Sequence, residues 1–225
     1  MHEACNGAFW RYVIGEGMKR QKDSVAQALL DQLVDDYKAM PHGRNGKFFT
    51  DKDRGIFPFM IKYLHYCFFG ISPFDKEKID TLYDFYYANT GKTATQYYIK
   101  GLGKLVNYAE KMKFNRLLPQ VAKIYEESPM FEKLPDSIST VGLSKNEFAN
   151  MIIPLFSIAA TVGPKHLLKA TMGQAPFPNQ IDGVKTDQID VLKIWDSINL
   201  DDKNEVKRYI FECGRLWVPV GHTRK

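Results

Sequence analysis

Along most of the chain apolar residues recur at helical rather than strand spacing. In SVAQALLDQLVDDYKAM (24–40) the spacing sets Val25, Ala28, Leu29, Leu33 and Tyr37 on one stripe, with Ser24 as the predicted N-cap. PHGRNG (41–46) ends that helix, as clusters of Pro and Gly do. FPFMIKYLHYCFFG (57–70) is apolar on every side and predicts a mostly buried helix closing on Gly70. Residues 73–91, amphipathic with acids early, and residues 94–114 and 117–131 continue the helical pattern. In GLSKNEF (142–148), Ser144 and Glu147 have the spacing of a capping box, in which each side chain satisfies a free amide of the first turn. From Lys145 the pattern runs towards Met172, about 40 Å at 1.5 Å per residue. Pro154 and Pro164 interrupt it and release the carbonyls of Asn150 and Ala160, and between them SIAATVG (157–163) replaces bulky residues by small ones. Such a rod can admit something flat against its thin middle, or simply pack closely on a neighbouring helix. GQAPFPNQIDG (173–183) breaks the pattern, 191–200 reads as a short helix, and 201–217 as a final helix with acids at its start, where the helix dipole favours them.

The fold class expected is therefore mainly α with little strand, a single domain over residues 1–225. A chain of 225 residues with 44% apolar and 13% aromatic content can bury one good core. A net charge of +5 is spread along the chain, and clusters such as MKRQK (18–22) read as solvated helix faces, so no nucleic-acid partner is expected. The three cysteines (Cys5, Cys67, Cys213) form no CxxC or Cys/His pattern; no metal site is legible, and the odd count suits a reducing, cytoplasmic compartment. The N-terminus has no signal-peptide pattern. The longest apolar run, 148–163, contains Asn150 and Pro154 and falls short of the roughly 20 residues that span a bilayer, so it reads as core. NTGKT (89–93) echoes the end of a P-loop, but Tyr86 stands where its first glycine is required and the preceding run is helical, so nucleotide binding is set aside.

The most informative stretch is RYIFECGRLWVPV (208–220). Glu212 and Arg215 are three apart on the last helix and share a face. Flanked by Ile210, Phe211, Leu216 and Trp217, they are expected to be partly buried and paired. A rod with small residues at its middle, then a breaker, then Glu-x-x-Arg-Leu-x-x-Pro-Val resembles the haem-thiolate cytochrome P-450 family. The resemblance covers residues 144–220 best and the rest loosely, from helix C or D to helix K. It implies that the long helix crosses the distal face of a haem, with Ala159, Ala160, Thr161 and Gly163 towards haem and substrate and Phe156 lining an apolar pocket. It makes Glu212 and Arg215 the structural ion pair, with Pro219 and Val220 starting a strand beneath the cofactor. Thr161 is the one catalytic candidate. A complete parent would oxidise an apolar substrate with an unidentified redox partner, or rearrange a lipid hydroperoxide; its partners would be an apolar small molecule or an oxidised fatty acid. Such a parent leaves room for membrane association.

Two departures shape that expectation. Ala160 stands where the ordinary monooxygenase has an acid before the alcohol, and the Gly163-Pro164 step is closer to the isomerase and lyase branches, such as allene oxide synthase, hydroperoxide lyase and prostacyclin synthase. The Asn that allene oxide synthases carry on this helix is not evident. After Arg215 the chain offers LWVPVGHTRK, with no cysteine in a glycine-rich loop, and no cysteine or histidine elsewhere has the context of an axial ligand. The expected object is thus an incomplete P-450-like helical domain, its haem belonging to the complete parent rather than to this chain. The competing expectation is a non-catalytic helical binding or interaction protein without haem, with aromatics such as Phe68, Phe69, Tyr97 and Tyr98 lining an apolar site.

Overall fold

A computed structural model describes residues 13–41, 46–98, 103–134, 144–156, 163–173, 180–181, 184–185 and 191–216. These form helices α1 (Gly15–Arg20), α2 (Ser24–Ala39), α3 (Lys47–Thr50), α4 (Ile56–Phe69), α5 (Lys76–Tyr98), α6 (Gly103–Glu126), α7 (Pro129–Glu132), α8 (Lys145–Phe156), α9 (Gly163–Thr171), α10 (Val191–Asp196) and α11 (Lys203–Leu216). The only strands among the described residues are β1 (Gln180–Ile181) and β2 (Val184–Lys185), an antiparallel pair with Gln180 opposite Lys185 and Ile181 opposite Val184. The chain is mainly α with little strand, as the apolar spacing predicts.

Helix α4 is the hub. Its all-round apolar surface lets it touch α1, α2, α3, α5, α7 and α9 at once. Ile61, Cys67 and Phe69 are fully buried, and the helix ends on Gly70 in the left-handed region, as expected. Helices α5 and α6 pack along each other and, with α7 and α8, close the main core around Leu82, Phe85, Val121, Tyr125, Phe131, Phe148 and Ile153. A smaller cluster joins Met40, Phe48, Phe49, Ile56 and Met60 to Leu168 and Met172, next to α9.

Four local expectations are corrected or sharpened. The N-cap of α2 is Asp23, whose Oδ1 accepts the Ala26 N–H at 2.9 Å, so Ser24 is already helical. The inward side of α2 is set by Ala26, Asp36 and Met40, with Val25, Leu29 and Leu33 half-buried as expected; Ala28 faces out, and Tyr37, partly exposed, sets its ring edge-on to Phe48 at 5.4 Å. Asp36 draws the helix inward because its carboxylate takes the Gly55 N–H at 2.8 Å and the Arg54 Nε–H at 2.8 Å. Gly55 itself has φ +86° and lies so close to the Phe48 carbonyl that a Cβ would sit 2.3 Å from that oxygen. Helix α5 continues through Gly91 to Tyr98, which puts NTGKT on a helix and denies it the loop a phosphate needs. Helix α6 passes through Pro119 without a break. That proline and Asn115, whose carbonyl it releases, are both exposed, so water can take the orphaned acceptor. The capping box of α8 forms as expected: the Ser144 N–H donates to Glu147 Oε2 at 2.9 Å and the Glu147 N–H to Ser144 Oγ at 3.3 Å.

Candidate functional site

Helix α11 carries three different faces. Its start is fixed by carboxylates. Asp202 Oδ1 accepts the Asn204 N–H at 2.8 Å, and Glu205 Oε2 reaches back to the Asn199 N–H at 3.0 Å. One turn apart, Tyr209 and Cys213 are buried and anchor the inner face against Leu167, Trp195 and Ile198. The Tyr209 hydroxyl donates to the Thr171 carbonyl at 2.6 Å, tying α11 to the end of α9. Burial raises the titration of both the Tyr209 phenol and the Cys213 thiol, so both stay protonated at neutral pH.

The second face holds the Glu-x-x-Arg pair. Arg215 Nε–H is shared between the two Glu212 oxygens at 3.0 and 2.9 Å, and Arg215 Nη2 closes on the same carboxylate. The hydrogen bond from Arg215 outweighs the effect of partial burial and lowers the titration of Glu212. The pair is made, but the expected burial is not: the two side chains are 53% and 55% exposed. The reason is angular. At about 100° per residue, a helix anchored through 209 and 213 turns 212 and 215 away from its neighbours.

On the third face Lys203, Val206, Lys207, Ile210 and Phe211, with Leu200 from the preceding turn, line a shallow groove of about 340 Å³. Phe211 is 67% exposed and Leu200 59%. The ammonium of Lys207 stands 5.8 Å from the Phe211 ring centroid, within reach of a cation–π contact. Among the described residues neither Lys203 nor Lys207 is paired with a carboxylate. The pattern missed this groove, although a signal was present. Tyr209, Ile210 and Phe211 are consecutive, and three consecutive apolar residues sweep about 200° of a helix, so they cannot all face one core.

No family model, curated protein or solved structure matches this chain.

The remaining candidates are distributed differently from the expectation. Ala159, Ala160 and Thr161 lie outside the described residues, as do the Tyr97 and Tyr98 side chains. Gly163 begins α9, with open space where a Cβ would project. The two described parts of the long rod both reach α4 but otherwise pack on different neighbours, α8 on α6 and α9 on α11. Phe156 lines no open pocket. It is buried, with its ring 5.0 Å from Phe69 and 5.4 Å from His65, because α8 must supply the last wall of the main core. Phe69, likewise, is fully buried against Tyr125.

Neither described thiol fits the axial ligand of a haem. Cys67 is fully buried and its titration is pushed up to about 11, chiefly by desolvation, and Cys213 is raised in the same way. A ligand thiolate needs the opposite setting, partly open and electropositive.

One polar cluster inside the core escaped the sequence reading. His65 on α4 is fully buried; its Nδ1–H donates to the Ile61 carbonyl at 2.7 Å, and Nε2 lies 2.9 Å from both the Tyr86 and Tyr125 hydroxyls, which are 2.5 Å from each other. The bond to Ile61 fixes the tautomer, leaving Nε2 as acceptor. Phe69 and Phe156 close over the ring, so the cluster has no room for a substrate.

Proposed function

We propose that this chain is a non-catalytic helical binding and interaction module that works without haem, with the outward face of α11 as its working surface. One observation carries the reading: a helix held rigidly on its inner side by Tyr209 and Cys213 turns Ile210 and Phe211 to the outside beside two lysines, next to the exposed Leu200 of the preceding turn. Contiguous exposed apolar side chains rimmed by polar ones are the feature that marks a contact surface. The protonated state and burial of Cys67 and Cys213 support the haem-free part of the reading. Haem titration into the purified chain tests it. A flat titration is expected, and a thiolate-type Soret band overturns it.

A second reading, an incomplete cytochrome P-450-like domain whose complete parent binds haem, is favoured by one observation only. The Glu212–Arg215 bond is bidentate, the geometry that a structural Glu-x-x-Arg pair requires. In that parent the pair would brace a strand starting at Pro219, and oxidation of an apolar substrate or rearrangement of a lipid hydroperoxide would follow. The described thiols do not fit the ligand, so no step is assigned to residues of this chain.

A further inference from the structure

Deepening the interaction reading, and resting on it, we infer that the groove on α11 receives an acidic amphipathic helix from a partner protein.

The occupant follows from shape and charge together. From Lys203 to Phe211 the groove runs about 12 Å along α11, at 1.5 Å per residue, which matches two to three turns of a helix laid into it. Its floor is apolar, from Leu200, Val206, Ile210 and Phe211, and its polar lining consists of Lys203 and Lys207 alone. The acids of this helix are already engaged elsewhere. Asp202 and Glu205 hold backbone amides, and Glu212 holds Arg215 on another face. The charges that line the patch itself are therefore those of the two lysines. A partner helix with an apolar stripe would fill the floor, and carboxylates beside that stripe would meet the lysines.

The same features argue against other occupants. A second copy of the chain would bring the same two lysines to the interface and set like charges against each other. An anionic membrane suits an apolar face with clusters of 4–8 basic residues, whereas this face carries two. A second groove, between α6 and α8, sets Leu118, Pro119 and Ala122 beside Lys123, Glu126, Glu127, Asn146 and Asn150, so charges of both signs already stand together in it. Its amides already bond within it, Asn146 to Glu126 and Asn150 to Asn146.

The test uses the full chain and two fluorescein-labelled peptides of about four helical turns. They share one leucine stripe and differ only in a glutamate or a lysine rim. Anisotropy titration is expected to show the glutamate peptide binding about tenfold more tightly, the scale of two exposed charge pairs. The Lys203→Glu/Lys207→Glu double variant should invert that preference, and Phe211→Ser should abolish binding of both peptides. All three positions are on the solvent side, and unchanged thermal melts confirm that the variants fold. Equal binding of the two peptides, with Phe211 still required, overturns the acidic partner while sparing the interaction reading. Binding of neither peptide overturns the groove as a helix site, whereas the haem titration bears on the interaction reading separately. Concentration-dependent dimerisation lost in Phe211→Ser overturns the inference in favour of a second copy. Phe211-dependent sedimentation with phosphatidylserine vesicles, without peptide binding, overturns it in favour of a membrane surface.

Discussion

Acidification should strike this fold at His65. Burial lowers the titration of its imidazole from 6.5 to about 4, so the native ring is neutral where the unfolded chain would be half charged. The sign follows directly. Between those two values the unfolded state binds more protons than the native state, so stability is complete above about pH 6.5 and falls as the pH drops towards 4. The gap between 6.5 and about 4, at about 1.4 kcal/mol per pH unit, amounts to about 3 kcal/mol once the pH has passed below both values. Desolvation of the charged ring is the main cause, and the two hydroxyls that face Nε2 act in the same direction. In the neutral form two hydroxyl protons serve the three short edges among Nε2, Tyr86 and Tyr125. A proton on Nε2 buries a charge and converts the acceptor that faces both hydroxyls into a donor. The assay is urea unfolding from about pH 7 to about pH 4.5, for the native chain and for His65→Gln, which keeps polar groups but cannot titrate. Near neutrality the variant should be less stable by about 1–2 kcal/mol. Its disadvantage should shrink steadily as the pH falls, because only the native chain carries the histidine penalty, while exposed carboxylates contribute equally to both. Parallel stability curves would refute the reasoning, as would an imidazole resonance that titrates near 6.5 in the folded protein.

Three further outcomes are expected. Gly17→Ala places a Cβ 2.1 Å from the Phe68 ring where α1 crosses α4, and should cost about 1–2 kcal/mol in the denaturant midpoint, less in a Phe68→Leu background. Asp36→Ala strips the buried Gly55 N–H of its acceptor and should cost about 2–3 kcal/mol, whereas Arg54→Ala, removing a side chain 53% exposed, should cost under about 1 kcal/mol. Glu212→Ala breaks an exposed pair and should change stability by no more than about 0.5 kcal/mol; a loss of several kcal/mol would show that the pair braces something buried and would favour the P-450-like parent.

How much of this was legible beforehand depended on whether the determining contact was local. The capping box at Ser144 and Glu147 and the glycine end of α4 are decided within a turn of helix, and both were read correctly. The N-cap of α2 was misread by one residue because Asp23 and Ser24 are both good caps. The choice fell to Asp23, which also receives the Tyr66 hydroxyl from α4 at 2.5 Å, a contact 43 residues away. The inward turn of α2 was set in the same way by the Gly55 amide reaching Asp36. Periodicity cannot anticipate a buried acid when its partner is a backbone group on another element. Nor can it show that His65, one polar residue in an apolar helix, meets two tyrosines from α5 and α6.

The Glu-x-x-Arg pair shows where sequence reasoning stops. Spacing guarantees that residues three apart share a face, and the bond between Glu212 and Arg215 duly forms. Spacing does not say which way that face points. The direction is set by the residues that find a matching wall and a polar partner within it. Here Tyr209 and Cys213 meet Leu167, Trp195 and Ile198, and their burial rotates the ion pair into water and Phe211 onto the rim of the groove. Turning the helix by about 100° to bury the pair would expose Tyr209, break its bond to Thr171 and desolvate two charges at once, so the observed orientation is the cheaper one. The same rotation that removes Glu212 and Arg215 from the interior presents Phe211, Ile210 and the two lysines together, and that is why the outer face of α11, rather than its ion pair, is the surface to test for function.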